Sequence, residues 1–239
     1  MDTATRPVFA VQRSQERAYA DHGWLKTFHS FAFADYFDPD NTNWGALRVF
    51  NDDTILGGGA FPTHPHRDME ILTYVLDGSL VHQDSMGNRG VVTRGGVQYL
   101  SAGTGIRHSE ANDSATVPLR LVQMWVMPDR AGATPLYGQE EFAEDARRNQ
   151  WLVLATGEAG ISAPIELRQS ATLRVARLED TTLAYAMRPE RFGYLFVAEG
   201  TVSANGETLN AGDAVRMHSI TDLTVSGSGE LVFWDVPAI

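Results

Sequence analysis

Short apolar runs closed by tight-turn residues recur along this chain at close spacing, and that punctuation limits the fold more than any other feature. Ile71-Leu72-Thr73-Tyr74-Val75-Leu76 ends at Asp77-Gly78, Ser79 to His82 returns, and Met86-Gly87-Asn88 turns again before Val91-Val92. Val97 to Leu100 follows a Gly95-Gly96 break, and Leu119 to Met127 is largely apolar on both faces. Trp44 to Phe50 reads as a strand ended by Asn51-Asp52-Asp53. Asp-Gly and Asn-Gly steps supply the backbone that a hairpin turn needs. Strands this short, with turn residues between them, predict an all-β barrel or jelly roll.

The pattern occurs twice. Leu195 to Val202, with Glu199-Gly200 inside it, echoes Thr73 to Leu80 with Asp77-Gly78, which points to an internal repeat. Aligning Gly78 with Gly200 sets His64 against Ala186, His66 against Arg188 and Glu70 against Phe192. Two related β-barrel lobes follow, residues 1–138 and 139–239, the second a degenerate copy. Pro128 to Gln150 bridges them and holds a charged, helix-compatible piece from Glu140 to Arg148, whose acidic run reads as a solvated face.

Composition removes several classes of function. A formal net charge of −11 argues against nucleic acid or an anionic membrane as partner. The absence of cysteine excludes disulfides, thiolate metal sites and cysteine nucleophiles. No serine sits on a nucleophile-elbow pattern. Residues 1–7 lack the apolar core of a signal peptide and no window has the length of a membrane span, so a cytoplasmic protein is expected.

The chemistry is concentrated between Gly58 and Asn112. His64-Pro65-His66 is followed by Glu70, and His108-Ser109-Glu110 comes after the turn Gly103-Thr104-Gly105. Residues two apart in a strand point to one side. His64 and His66 therefore share a face, as do His108 and Glu110, while Glu70 has the parity of the first pair. Imidazole and carboxylate suit a first-row metal, with positions left open for a substrate oxygen or dioxygen. Spacing alone leaves open which glutamate would join the three histidines.

The same residues resemble a known family. Gly58, His64-x-His66, Glu70 and Gly78 are close to the first cupin motif, and Gly103-x-Gly105, His108 and Asn112 to the second, with Gly103 where proline is usual. The runs His64 to Glu70, His82 to Arg89 and Ser101 to Glu110 look more narrowly like the pirin family, as do His22 to Lys26 and Ser30 to Tyr36. The resemblance implies a bicupin with one divalent first-row transition metal in the N-terminal lobe, usually iron, with manganese, nickel, cobalt, copper or zinc as other occupants. Its ligands would be His64, His66, His108 and Glu110, leaving Glu70 a supporting role.

Members of that family include flavonol 2,3-dioxygenases acting on quercetin. The resemblance thus implies a phenolic substrate and dioxygen, ring cleavage with loss of carbon monoxide, and Glu110 as the catalytic group that takes the substrate proton. Other members are metal-bearing regulators that bind a protein partner, with the metal's redox state as switch. Phe31, Phe33, Trp44 and Tyr74 are candidate walls of the pocket. For His22, His29 and His82, surface or satisfied-core placement is expected, and His218, near where His108 would recur, is expected to be structural.

Overall fold

The structure, a computed structural model, describes residues 7–239. Residues 1–6, which carry most of the segment read for a targeting signal, lie outside them. The chain's regular elements are nearly all strands, as the punctuation predicts. Strands β1 (Val8–Gln12), β2 (Ala18–Asp21), β3 (Leu25–His29), β4 (Leu47–Ile55), β5 (Ala60–His66) and β6 (Glu70–Asp77) come first. β7 (Ser79–Asp84), β8 (Arg89–Thr93), β9 (Val97–Ser101), β10 (Ile106–Asn112), β11 (Leu119–Val126) and β12 (Leu136–Glu140) complete the first half. The second half has β13 (Leu152–Thr156), β14 (Ile165–Glu166), β15 (Thr172–Ala186) and β16 (Phe192–Ala204). β17 (Glu207–Asn210), β18 (Ala214–His218) and β19 (Asp222–Val236) end it. Among the described residues no helix is long and apolar enough to cross a membrane.

The chain folds as a bicupin of two jelly-roll sandwiches whose sheets do not close into barrels. In the first lobe a seven-stranded sheet, β12-β9-β6-β11-β4-β3-β2, faces a four-stranded one, β5-β10-β7-β8. The second half forms one eight-stranded sheet, ordered β1-β18-β16-β19-β15-β13-β14 with β17 on β16, which recruits β1 from the start of the chain. Gly78, at the β6–β7 turn, and Gly200, next to a register shift inside β16, take φ of 82° and 81°, a left-handed conformation that glycine adopts without strain.

The register refines the repeat. Phe192 lies opposite His218 as Glu70 lies opposite Ser101, so His218 occupies the place of Ser101 rather than that of His108. His218 stacks on Phe192 with ring centroids 4.1 Å apart, a structural role as expected.

Two local expectations change. Strand β4 does not stop at Asn51-Asp52-Asp53 but runs through them, because Asn51 and Asp52 find tertiary partners and Asp53 turns to the inside of the lobe. Asp52 takes a two-pronged contact from Arg120 (3.1 and 3.0 Å), and Asn51 bonds His29 (2.8 Å). The helix anticipated over Glu140 to Arg148 is one 3-10 turn, Glu144–Arg147. Buried Arg147 is drawn to Glu230 (3.2 Å), and Glu141 accepts from the backbone N–H and hydroxyl of Thr93, so that stretch is held rather than free.

Where the apolar clusters sit locates the site. One cluster fills the interface between lobes, bringing Leu72, Tyr74 and Met124 against Tyr194, Phe196 and Trp234. The inside of the first lobe is divided. Leu25, Ile55, Val75 and Leu121 gather at one end, and Ile71, Leu100 and Ile106 at the other. Between them Gln98, Thr73, Gln123, Asn51 and His29 stand in register across β9, β6, β11, β4 and β3. Directly paired residues share a face of the sheet. These five therefore form a polar belt through the middle of a core, where unpaired polar groups are costly.

Candidate metal centre

The four-stranded sheet lays its own polar side chains over that belt. His64 and His66 come from β5, and antiparallel pairing sets His64 opposite His108. On the other side of β10, His108 pairs with Asp84 and Glu110 with His82, all of one parity. The rings of His64, His66 and His108 lie 4.5 to 4.8 Å apart. Each offers a nitrogen within 4.8 Å of the others, and His82, His108 and Glu110 form a second such group. Of the sequence-predicted residues, His64, His66 and His108 thus meet at one point, and Glu110 stands beside them in the group that shares His108.

Glu70 is elsewhere. Its carboxylate accepts from Tyr99, from Ser101 Oγ (2.6 Å) and from the Arg168 backbone N–H (3.1 Å), tying the first lobe to the second. That is a structural role. Glu110 is held over the belt by two amides, Gln98 Nε2 (2.6 Å) on one oxygen and Gln123 Nε2 (2.9 Å) on the other.

Hydrogen bonds fix the tautomers. His64 Nδ1 donates to the Pro62 carbonyl (2.8 Å), which leaves the lone pair on Nε2. Asp84 accepts from His82 Nε2 (3.2 Å), so His82 Nδ1 is an acceptor and faces His108 Nδ1 (3.4 Å). His108 then carries its lone pair on Nε2 as well. The two Nε2 atoms are 3.0 Å apart. Two lone pairs facing at that distance repel each other unless a cation lies between them, and the donor set fits a divalent first-row metal. Supporting bonds of this kind commonly orient metal-binding histidines. The relay through His82 and Asp84 was missed in the sequence. Its only signal there was the even spacing of His82 and Asp84, which gains meaning once β7 is registered against β10.

The electrostatics suit ligation. Burial, then the charges His108 and His64 would carry, lower His66 from 6.5 to about 3. Burial, His64 and His82 lower His108 to about 3. Both imidazoles are neutral at physiological pH, the form that binds metal.

A cavity of about 390 Å³ opens beside them, reaching His64, His66 and Glu110. Trp24, Phe33, Phe61 and Trp125 supply aromatic walls, and Trp125 meets the His66 ring edge-on at 4.9 Å. Of the four walls proposed from sequence only Phe33 lines this space. Phe31 and Tyr74 belong to the interlobe cluster and Trp44 packs against it, because they stand on the opposite side of the sheet or beyond its edge. His22 and His29 also line the cavity, His29 while bonded to Asn51.

Comparison with known proteins finds relatives along the whole of both lobes. A family model described as Pirin matches residues 10–126, and one described as Quercetinase C-terminal cupin domain matches residues 159–233. A pirin-like protein of Caulobacter vibrioides is 43% identical over 219 residues, covering 90% of this chain and 94% of its own. A quercetin 2,3-dioxygenase of Escherichia coli is 41% identical over 232 residues, covering 96% and 99%. The crystal structure of the bacterial pirin YhhW of Escherichia coli in complex with nickel(II) superposes with a TM-score of 0.90 at 38% identity, covering 97% and 100%.

Proposed function

Because the chain belongs to the pirin family, we propose that it is a metal-dependent dioxygenase that cleaves flavonols such as quercetin, with His64, His66, His108 and Glu110 as ligands and iron as the metal. The observation that carries the reading is the pair of imidazole lone pairs facing at 3.0 Å, open to a cavity with aromatic walls. A flavonol has a hydroxyl beside a carbonyl, a pair of oxygens suited to a metal with open positions. When bound, such a metal lowers the pKa of the hydroxyl and makes the flavonol electron-rich toward dioxygen.

The protein's own groups do the rest. His66 and His108 arrive neutral, and hydrogen bonds set the tautomers of His64 and His108, so the site needs little rearrangement. Glu110, next to them and oriented by Gln98 and Gln123, takes the hydroxyl proton. Trp24, Phe33, Phe61 and Trp125 hold the rings flat and keep water away from the reacting carbons. Both atoms of dioxygen enter the product ester and one ring carbon leaves as carbon monoxide.

The test is oxygen uptake and carbon monoxide release from quercetin by protein reconstituted with iron, manganese, nickel, cobalt or copper. Turnover with at least one of them, in equal amounts of the two signals, is expected. No turnover with any of them refutes the assignment.

A further inference from the structure

Asp53 is a buried carboxyl that the chemistry above does not use. It is 3% exposed, it lines the cavity, and its Oδ1 has no hydrogen-bond partner among the described residues. Thr27, directly opposite it across β3 and β4, also lines the cavity with an unpartnered hydroxyl. Among the described residues no arginine or lysine pairs with Asp53, whereas its neighbour Asp52 has both Arg120 and Arg17. The only other carboxyl lining the cavity among the described residues, Glu110, has both oxygens occupied by amide donors. Buried polar groups without partners are rare and commonly mark a ligand or water.

Position says how far apart two substrate oxygens would be. Gln123, which holds Glu110, stands opposite Asn51, and Asp53 is two residues farther along β4. Two residues of strand and one strand spacing put Asp53 roughly 8 Å from Gln123 along the sheet. A fused or linked pair of aromatic rings is long enough, and the walls between the two ends are aromatic.

We propose that Asp53, with Thr27, is a specificity-determining anchor that binds a second hydroxyl, on the part of the flavonol remote from the metal. This rests on the flavonol reading of the site. The carboxyl accepts the hydrogen of that hydroxyl, and the Thr27 hydroxyl donates to its oxygen. The cavity therefore selects polyhydroxylated flavonols over those whose only hydroxyl is the one at the metal.

The experiment is anaerobic titration of metal-loaded protein with quercetin and with 3-hydroxyflavone, read by quenching of the tryptophans at the cavity, Trp24 and Trp125. Wild type is expected to prefer quercetin by on the order of tenfold or more, the size of a hydrogen bond to a buried carboxyl. Asp53→Leu should bring that ratio close to one, and Asp53→Asn, which keeps an acceptor, should restore part of it. Thermal melts of the metal-free variants establish that each is folded, and Asp53→Leu/Thr27→Val covers the case where the single change leaves Thr27 stranded. A preference for quercetin that persists in both leucine variants overturns the anchor while leaving the flavonol reading intact. Absence of binding of either flavonol to wild type overturns both.

Discussion

Replacing His82 by phenylalanine isolates the relay behind the metal centre. The His82 side chain is fully buried, and its ring stacks on Tyr137 with centroids 4.3 Å apart and planes 12° from parallel. Phenylalanine keeps that stack and removes only the acceptor for His108 Nδ1 and the donor to Asp84. Asp84 is not stranded, because the backbone N–H groups of Met86 and Asn88 and the Asn88 side chain still bond it at 2.9 to 3.0 Å. The loss therefore falls on His108, 1% exposed, whose Nδ1–H is left unpaired in the interior. An unmade buried hydrogen bond costs about 1–3 kcal/mol. His108 relieves it by moving or by taking the other tautomer, and both withdraw the Nε2 lone pair from the metal. The expected result is a metal affinity lower by roughly 10- to 100-fold, the range seen when such partners are lost elsewhere. Competition against a chelator at neutral pH measures it, with a metal-free melt to show that the fold is unchanged. An affinity within about twofold of wild type, well under 1 kcal/mol, would show that the relay does not orient His108.

Two further outcomes follow from the geometry. In metal-free protein, His66 and His108, lowered from 6.5 to about 3, stabilise the fold fully above pH 6.5, and this is lost as pH falls from 6.5 toward 3. Asp53, raised by burial from 3.8 to about 7, has the opposite sign, its contribution full below 3.8 and lost as pH rises through 7. Urea denaturation across that window should thus show a steeper loss of stability on the acid side in Asp53→Leu than in wild type, and an unchanged slope would contradict the burial of Asp53. Gly103→Ala should cost more than about 1–2 kcal/mol, read as a lower melting temperature, because φ there is 44° and a Cβ would run into the Ala133 carbonyl oxygen.

The last point explains a departure that the sequence displays but does not account for. Proline is usual at the position of Gly103, yet proline fixes φ near −65°, and this turn needs +44°. Other parts were legible for simple reasons. A turn residue closed the strand at Gly78, and parity alone placed His64 with His66 and His108 with Glu110. What escaped was whatever depends on a partner far along the chain. Asn51-Asp52-Asp53 has the composition of a turn, and only Arg120, His29 and the cavity make it a strand. β6 and β11 are apolar on both faces, so pattern could not say that Tyr74 points to the second lobe and Thr73 to the site.

The same comparison of faces shows why one lobe carries the site and the other does not. Carrying the belt across by register sets Gln98 against Val215, Thr73 against Leu195, Gln123 against Phe233 and Asn51 against Arg174. Val215, Leu195 and Phe233 belong to one continuous core, and Arg174 packs its guanidinium on Tyr185 at 4.6 Å. Each of those apolar side chains contributes about 1.5–3 kcal/mol by burial. Each amide or hydroxyl that replaces one forfeits that, and Thr73 Oγ1 and Gln98 Oε1 are left without partners besides. Losing the ligands alone would not have closed the second site, since Ala204 and Val225 stand where His82 and Glu110 would be over a floor already apolar. Floor and ligands change together, because a carboxylate over an apolar floor would lack the amides that hold Glu110. Restoring a metal to the second lobe would therefore require the belt to be rebuilt along with the histidines.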